Sequence, residues 1–188
     1  MSNIFFTSDT HFFHKNILKF CPDTRFGTDH VEMTELMIED WNKRVQPGDV
    51  VYHLGDVSFG RTEESEKVLA RLNGELHLIQ GNHDGGVVQG PCRKRWASVQ
   101  PYLRKKINGQ DIVMFHYPIV EWDCMHHGSW HFYGHVHGKN MGLSDRKAMD
   151  VGVDSRGHVD MAPWSFEELK AIMDLRQVFS HHYKGNIK

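Results

Sequence analysis

Five short motifs along the chain carry side chains that bind divalent metals. They are Asp9-Thr10-His11, Gly55-Asp56, Gly81-Asn82-His83-Asp84, the single His116 and Gly134-His135-Val136-His137. Carboxylate, amide and imidazole groups together suit borderline metals such as Mn²⁺, Fe²⁺ or Zn²⁺. Seven candidate ligands are too many for one tetrahedral site, but they suit two metals that share a bridging carboxylate. Two ions about 3.5–4 Å apart can clamp the attacking and leaving oxygens of an in-line displacement.

Almost every motif directly follows an apolar run that predicts a β-strand. The runs are Ile4–Thr7, Val50–Leu54, Leu76–Gln80 and Trp130–Tyr133. Because loops at the carboxyl ends of parallel strands converge, ligands that are far apart in sequence can meet at one point. Helix signals separate the first three runs, and this β-α-β-α-β order predicts parallel pairing with right-handed crossovers.

The two helices between these strands have recognisable starts. Thr28-Asp29 can cap the first helix, in which Met33, Met37 and Trp41 are spaced for one buried face. The second helix covers about Thr62–Leu72, with acidic residues in its first turn that favour the helix dipole. Both helices are therefore expected to pack against the sheet and hold the strand ends in place.

The second half of the chain has a different pattern. Tyr102–Ile107 and Asp111–Phe115 flank an Asn-Gly turn and predict a hairpin. Ala148–Val153 and His158–Met161 are expected to pair at the sheet edge. The run Ser165–Glu168 has the form of a capping box and predicts the start of a last helix.

Length and composition indicate one globular domain. The chain has 188 residues, of which 39% are hydrophobic and 24% charged. We expect a single domain over residues 1–180 and a C-terminal tail over residues 181–188, in which His181-His182 are solvated and not metal ligands. The net charge of −2 gives no basic field of the kind that nucleic-acid binding requires.

The cysteines and the first residues indicate the compartment. Cys21, Cys92 and Cys124 are odd in number and widely spaced, which argues against a disulfide framework and for a reducing compartment. Asp9 and His11 interrupt the opening apolar stretch, so we expect neither a signal peptide nor a membrane span. A cytoplasmic location is the expectation from both features.

The order of the five motifs resembles that of the calcineurin-like metallophosphoesterase superfamily. The match runs from Asp9 to His137, and the opening Thr7–Ile17 is further similar to a subgroup of small bacterial and phage phosphoesterases. The resemblance implies an α/β fold, a four-layer α/β/β/α sandwich with the metals at the carboxyl ends of the strands. One departure is present: many members carry a second acidic residue shortly after Gly-Asp, where this chain has Val57-Ser58-Phe59.

The resemblance also implies which residues hold two divalent ions. One ion would be held by Asp9, His11, Asp56 and His137, and the other by Asp56, Asn82, His116 and His135. Asp56 would bridge the two. We take Mn²⁺ as the first choice of metal, with Fe, Zn, Ni or Co as alternatives.

The expected reaction is phosphoester hydrolysis with a hydroxide that bridges both metals as the nucleophile. Phosphoryl transfer depends mainly on positioning and electrostatics, so no covalent enzyme nucleophile is needed. By resemblance, His83 faces the scissile phosphate and protonates the leaving oxygen or stabilises its charge. Asp84 is then expected to orient His83 and raise the pKa of the imidazole.

Three loops that follow ligand motifs are expected to ring the site and choose the substrate. They cover Phe12–Asp29, Gly85–Pro101 and Tyr117–Ser129. The candidate substrate-binding residues in them are His14, Arg25, Arg93 and Trp96. Arg93 to Trp96 can bind a nucleotide phosphate and stack on a base, or form a solvated basic turn with Trp96 packed underneath. His14 can reach the substrate phosphate or cover the rim of the site.

Three functions compete at this point. The first is hydrolysis of phosphomonoesters or phosphodiesters, with nucleotides or other small phosphates as substrates. A nuclease that acts on polynucleotide ends would need a basic track to the metals, which the net charge of −2 does not favour. A non-catalytic binding scaffold is disfavoured because all seven ligands and His83 are present. The substrate, the native metal and the oligomeric state are left open.

Overall fold

The computed structural model describes residues 2–179, which form two β-sheets with helices around them. The strands are β1 (Ile4–Thr7), β2 (Val50–His53), β3 (Glu75–Ile79), β4 (Trp96–Gln100), β5 (Tyr102–Ile107), β6 (Gln110–Phe115), β7 (Trp130–Tyr133), β8 (Ala148–Asp150) and β9 (Trp164–Ser165). The helices are α1 (Ile17–Phe20), α2 (His30–Arg44), α3 (Thr62–Arg71), α4 (Gly90–Arg93) and α5 (Phe166–Asp174).

The first sheet has the strand order β4-β3-β2-β1-β9. Its first four strands are parallel, and β9 pairs antiparallel with β1. The second sheet has the order β5-β6-β7-β8. Strands β5 and β6 form an antiparallel hairpin, whereas β6, β7 and β8 are parallel to one another. The β1, β2, β3 and β7 strands all end directly before a ligand motif, so the predicted convergence of strand ends is confirmed.

Helices α2 and α3 pack on one face of the first sheet. Met33, Met37 and Trp41 are buried on α2, as their spacing predicts, and share a cluster with Val51 and Leu76 of the sheet. The Asp29 carboxylate caps α2 by accepting hydrogen bonds from two backbone amides of the first turn. This layer fixes the orientation of the parallel strands that carry the first three motifs.

The other face of the first sheet packs against the second sheet. Phe6 and Leu54 meet Met114 and Phe132 there, and the Phe6 and Phe132 rings lie edge to face with centroids 4.9 Å apart. Helix α5 adds Phe166 and other side chains to the same cluster. Because successive residues of a strand point to opposite faces, the sequence supplies both packing surfaces, and the expected mixed α/β fold with two sheets is confirmed.

The outer face of the second sheet is covered by the segments on either side of β7, residues 118–129 and 134–147. Trp122, Met125 and Leu143 from these segments are buried against Val113 and Tyr133. The layer contains a short 3₁₀ helix at Met125–His127. Trp122 is therefore part of a hydrophobic core cluster.

Some elements differ from the sequence-based expectation. Residues 96–100 were expected to belong to a loop, but they form β4 at the edge of the first sheet. Residues 158–161 form no strand, and β9 at Trp164–Ser165 takes the edge position beside β1. The capping box at Ser165 and Glu168 is confirmed. The predicted tail, residues 181–188, lies outside the described residues.

Two further findings concern membrane-spanning helices and the cysteines. Within residues 2–179, no helix is long and apolar enough to cross a membrane. Cys21, Cys92 and Cys124 are all free thiols.

Candidate metal centre

Most of the predicted ligands have an unusual backbone conformation. Five of the seven lie in the left-handed region: Asp9 (φ 54°), His11 (φ 48°), Asp56 (φ 58°), His135 (φ 70°) and His137 (φ 50°). This region is uncommon for residues other than glycine and is found where function requires it. The chain therefore turns sharply at both Asp9 and His11 instead of continuing the extended conformation of β1.

Glycines in three motifs allow the ligand loops to approach one another. A Cβ atom at Gly55 would lie 2.5 Å from the backbone nitrogen of Gly81. A Cβ at Gly81 would overlap the carboxylate of Asp56, and one at Gly134 would overlap the Ser8 hydroxyl. Glycine is therefore needed at these positions, since any side chain there would push the ligands apart.

The first ligand group consists of Asp9, His11 and His137, whose ligand atoms lie within 4.8 Å of one another. Asp9 and His11 are buried, and His11 Nε2 lies 3.6 Å from Asp9 Oδ1. Among residues 2–179, Asp9 Oδ1 and both ring nitrogens of His11 have no hydrogen-bond partner. Buried polar atoms without partners are unfavourable, and a bound cation would supply the missing partner.

The second ligand group consists of Asp56, His116 and His135, with ligand atoms also within 4.8 Å of one another. The Nδ1 atom of His116 donates to the Leu54 carbonyl oxygen at 2.7 Å, which leaves Nε2 with its lone pair. That Nε2 atom lies 3.1 Å from Asn82 Oδ1, an oxygen that also accepts from the Tyr117 hydroxyl. Two acceptors that face each other at this distance fit a shared cation.

Asp56, a member of the second group, also lies close to the first. Its Oδ2 atom is 3.9 Å from His11 Nε2 and 3.6 Å from His116 Nε2. Its Oδ1 atom accepts a hydrogen bond of 2.9 Å from the backbone amide of His83. The structure therefore brings all seven predicted ligands to one place, with Asp56 next to a histidine of each group.

The His137 side chain is braced by a carboxylate that the sequence analysis missed. His137 Nδ1 lies 2.7 Å from Asp154 Oδ2, so Nε2 is left for a metal. Burial alone would lower the pKa of His137, but Asp154, Cys21 and Asp9 outweigh it and raise that pKa to about 10. Asp154 lies shortly after β8. The sequence feature that could have identified it is the one that identified the ligand motifs, a carboxylate shortly after a predicted strand.

Arg25 completes this brace and does not face substrate. Its side chain is fully buried, donates to both oxygens of Asp154 at 2.7–2.8 Å and also bonds the backbone oxygens of Asp9 and Thr10. The prediction that Arg25 contacts substrate is wrong, because its donors are directed into the protein. Its positive charge holds the first ligand motif and Asp154 together.

A second carboxylate, Asp150, supports the loop that carries His137. It accepts hydrogen bonds from the backbone amides of Gly138 and Gly152 at 2.8 and 2.7 Å. Burial and the nearby Asp9 charge raise the pKa of Asp150 to about 7. The loop after β7 is therefore fixed by two carboxylates from the segment that follows β8.

Asp84 has a different role from the one predicted. It is fully buried and accepts hydrogen bonds from the backbone amides of Asp56, Val57 and Gly81 at 2.7–2.9 Å. The prediction that Asp84 orients His83 is wrong, because its oxygens are occupied by these amides. It holds the second and third motifs together, while the His83 side chain is exposed.

Comparison with known proteins identifies the family. The model of the calcineurin-like phosphoesterase superfamily domain matches residues 3–159. The chain belongs to this superfamily. It is therefore a metal-dependent phosphoesterase, and phosphate esters are the substrates that the family implies.

Relatives and a solved structure extend this finding. This phosphoesterase is 30% identical over 161 residues to an uncharacterized protein of Methanocaldococcus jannaschii, with 82% of this chain and 83% of that protein covered. It is 27% identical over 190 residues to the Gene 66 protein of Mycobacterium phage L5, with 85% and 90% covered. A crystal structure of a protein of unknown function from Aquifex aeolicus shares the fold, with a TM-score of 0.70, 24% identity, and 92% and 100% of the two chains covered.

A cavity of about 580 Å³ opens beside the first ligand group of the phosphoesterase. His11, His83 and His137 form part of its wall. His14 also lines it and stacks on Phe59 with ring centroids 4.2 Å apart. The cavity therefore adjoins the first ligand group. The position of His14 in the cavity wall is compatible with both of its predicted roles, contact with the substrate phosphate and cover of the rim.

The other two candidate substrate residues lie elsewhere. Trp96 is buried at the start of β4, and its indole donates to the Val87 carbonyl oxygen at 3.1 Å, so the prediction that it stacks on a base is wrong. Arg93 donates to the Trp96 carbonyl oxygen, and neither residue lines the cavity. Arg95 bonds three carbonyl oxygens at the end of α3. The basic turn with Trp96 packed underneath is therefore the reading that the structure supports.

Proposed function

We propose that this phosphoesterase uses two divalent ions that share Asp56 to hydrolyse small phosphomonoesters or phosphodiesters, nucleotides among them. The observation that carries the proposal is the position of Asp56 Oδ2, within 3.9 Å of His11 Nε2 and 3.6 Å of His116 Nε2. A carboxylate that faces a ligand of each group suits two ions and not one. The mixture of carboxylate, amide and imidazole donors favours Mn²⁺ as the metal.

The ions, when bound, would neutralise charge on the phosphate and lower the pKa of a water molecule to near neutrality. Asp9 and Asp56 would balance part of the metal charge without removing the attraction for an anionic ester. Asp154 and the Leu54 carbonyl oxygen keep His137 and His116 in fixed orientations with Nε2 free. The protein thus supplies a preorganised site that needs little rearrangement for reaction.

His83 is the proposed general acid. It lines the cavity, and its backbone amide is tied to Asp56, so its position relative to the centre is fixed. As the oxygen of a water molecule bonds to phosphorus and the bond from phosphorus to the leaving oxygen breaks, the His83 imidazolium would transfer its proton to the leaving oxygen. The neutral imidazole would then regain a proton from solvent.

The size of the site supports small substrates. The adjoining cavity of about 580 Å³ falls in the range of about 300–1,000 Å³ that is common for small-molecule sites. Among the described residues that line it, Lys139 is the only lysine or arginine. The described lining therefore fits a compact anion and offers no extended basic track for a polynucleotide.

The test compares two chromogenic substrates after chelation and reloading with Mn²⁺. We expect metal-dependent hydrolysis of p-nitrophenyl phosphate or bis-p-nitrophenyl phosphate, and the ratio of the two rates separates monoesterase from diesterase activity. His126→Ala, which changes an exposed histidine outside the site, is the matched control and should leave the rates unchanged. Hydrolysis of neither ester by the Mn²⁺-loaded protein would contradict the proposal.

A further inference from the structure

We propose that the cavity beside the first ligand group binds the planar base of a nucleoside phosphate, and that Phe20 and Phe59 select it. The inference rests on the proposed function in placing the phosphate at the metal centre. It assigns a recognition role to two residues that take no part in metal binding. It also narrows the substrate from small phosphate esters to esters that carry a flat ring.

Both rings are unusually exposed. Phe20 is 69% exposed and Phe59 41% exposed. They are the two most exposed phenylalanines within residues 2–179, and both line the same cavity. Leaving an aromatic ring in water forgoes the free energy of its burial. Two such rings at one cavity therefore indicate a surface that a ligand covers.

The two phenylalanine rings lie at increasing distance from the candidate metal centre. Phe59 lies nearly parallel to His14 and His11, with ring centroids 4.2 and 5.1 Å apart and interplanar angles of 24° and 27°. Its centroid is 4.8 Å from that of His83, the proposed general acid. Phe20 lies farther out, 6.2 Å from His14. A planar group joined to the phosphate by a short linker would meet these rings.

The polar groups of the cavity favour a heteroaromatic ring over an alkyl chain. Asp23 and Lys139 line the cavity and provide one carboxylate and one ammonium group. A base presents donors and acceptors at its edge and a π-face above and below, so it can use both the charges and the phenylalanines. An alkyl chain can use neither of the charged groups. Stacking is also tolerant of base identity, so several bases should bind.

Binding is tested with two ligands that differ only in the base. They are the phosphonate analogues of adenosine 5′-monophosphate and ribose 5-phosphate, in which a CH₂ group replaces the ester oxygen and prevents hydrolysis. Calorimetry with the Mn²⁺-loaded protein should give tighter binding of the nucleoside analogue, by about 5- to 150-fold if one base stacks. Since hydrolysis is not read, this result is independent of the nitrophenyl phosphate assay.

Variants locate the effect in the rings. Phe20→Ala and Phe20→Leu should bring the two dissociation constants several-fold closer, whereas Phe20→Trp should keep them apart. Phe59→Leu should have the same effect as Phe20→Leu. The matched control is Leu175→Ala, because Leu175 is 88% exposed and lies outside the cavity. It should leave the ratio unchanged.

Two results would overturn the inference. One is equal affinity of the wild-type protein for the two analogues. The other is an unchanged ratio in both Phe20→Ala and Phe59→Leu. In either case activity on nitrophenyl phosphates could persist, so the proposed function would stand while the base subsite would be rejected. If the protein preferred the nucleoside analogue but hydrolysed neither nitrophenyl ester, the base subsite would stand and the proposed function would be rejected.

Discussion

The two ligand groups are held in place by different means. The first group depends on a buried ion pair, because Asp154 orients His137 and is itself held by Arg25, 129 positions away. The second group depends on main-chain contacts, since His116 donates to the Leu54 carbonyl oxygen and Asp84 accepts from three backbone amides. One half of the centre is therefore sensitive to distant charged residues, and the other to the loops that carry its own motifs.

This difference has consequences for stability and for metal affinity. Removing one partner of a buried ion pair leaves an uncompensated charge, so the first group should be weakened by substitutions that touch no ligand. The second group should resist such changes and respond mainly to loss of its ligands or of the glycines around them. The predictions below test that contrast, beginning with the residue that both groups share.

Replacement of Asp56 should have the largest effect. Asp56→Ala removes a ligand from both groups and the charge between two nearby cations. We expect loss of at least one metal per chain and loss of measurable metal-dependent hydrolysis. Elemental analysis that finds two tightly bound ions in this variant would remove Asp56 from the bridging role and separate the two groups.

Replacement of His83 should affect chemistry and leave both groups intact. His83→Ala should retain both metals but lower kcat by about 10²–10⁴, as expected for a lost general acid. The loss should be smaller for nitrophenyl esters than for alkyl esters, because a good leaving group needs less protonation. Equal losses for both kinds of ester would assign His83 to charge stabilisation or positioning.

Replacement of Asp154 should weaken the first group selectively. Asp154→Ala leaves the buried Arg25 charge unpaired and should lower the free energy of unfolding by about 3–5 kcal/mol, measured by urea denaturation. Asp174→Ala, which breaks an exposed pair with Lys170, is the control and should leave the free energy of unfolding nearly unchanged.

The same contrast should appear in metal affinity. Asp154→Asn keeps the shape of the side chain but loses its charge, and should weaken binding of one ion about 10- to 100-fold. Tyr117→Phe removes a hydroxyl that contacts Asn82 in the second group and should change affinity less than tenfold. If Tyr117→Phe weakens metal binding more than Asp154→Asn does, the assignment of the ion-pair brace to the first group is wrong.

The smallest predicted effect concerns pH. In the folded, metal-free chain the pKa of His137 is raised to about 10 from 6.5. Its contribution to stability is complete below pH 6.5 and is lost as the pH rises toward 10, because the folded chain retains a proton that the unfolded chain releases. With EDTA, the free energy of unfolding should fall by about 1–2 kcal/mol between pH 6.5 and 8.5.

Mn²⁺ should remove this pH dependence, because metal binding requires the neutral imidazole and strengthens as protons leave. His137→Gln in EDTA should lose most of the slope, which makes it the control for the assignment. A chelated wild-type protein that is equally stable at pH 6.5 and 8.5 would show that Asp154 does not hold a charged His137.

The sequence predicted the ligands better than their supports. The motifs are local, and the apolar runs before Asp9, Asp56 and His135 indicate where strands end, so the convergence of ligands could be inferred. The pairing of Arg25 with Asp154 could not, because no short pattern connects residues that meet only after both sheets have formed. Asp84 was misassigned for the same reason, since two of the amides that it binds, those of Asp56 and Val57, lie in or directly after another motif.

The central claim is that two metal groups act together through Asp56. The most direct measurement is titration of the chelated wild-type protein with Mn²⁺, with bound metal and hydrolysis of the preferred nitrophenyl ester recorded at each step. The account predicts saturation at two ions per chain, with activity that rises as the second ion binds. Full activity and saturation at one ion per chain would contradict it.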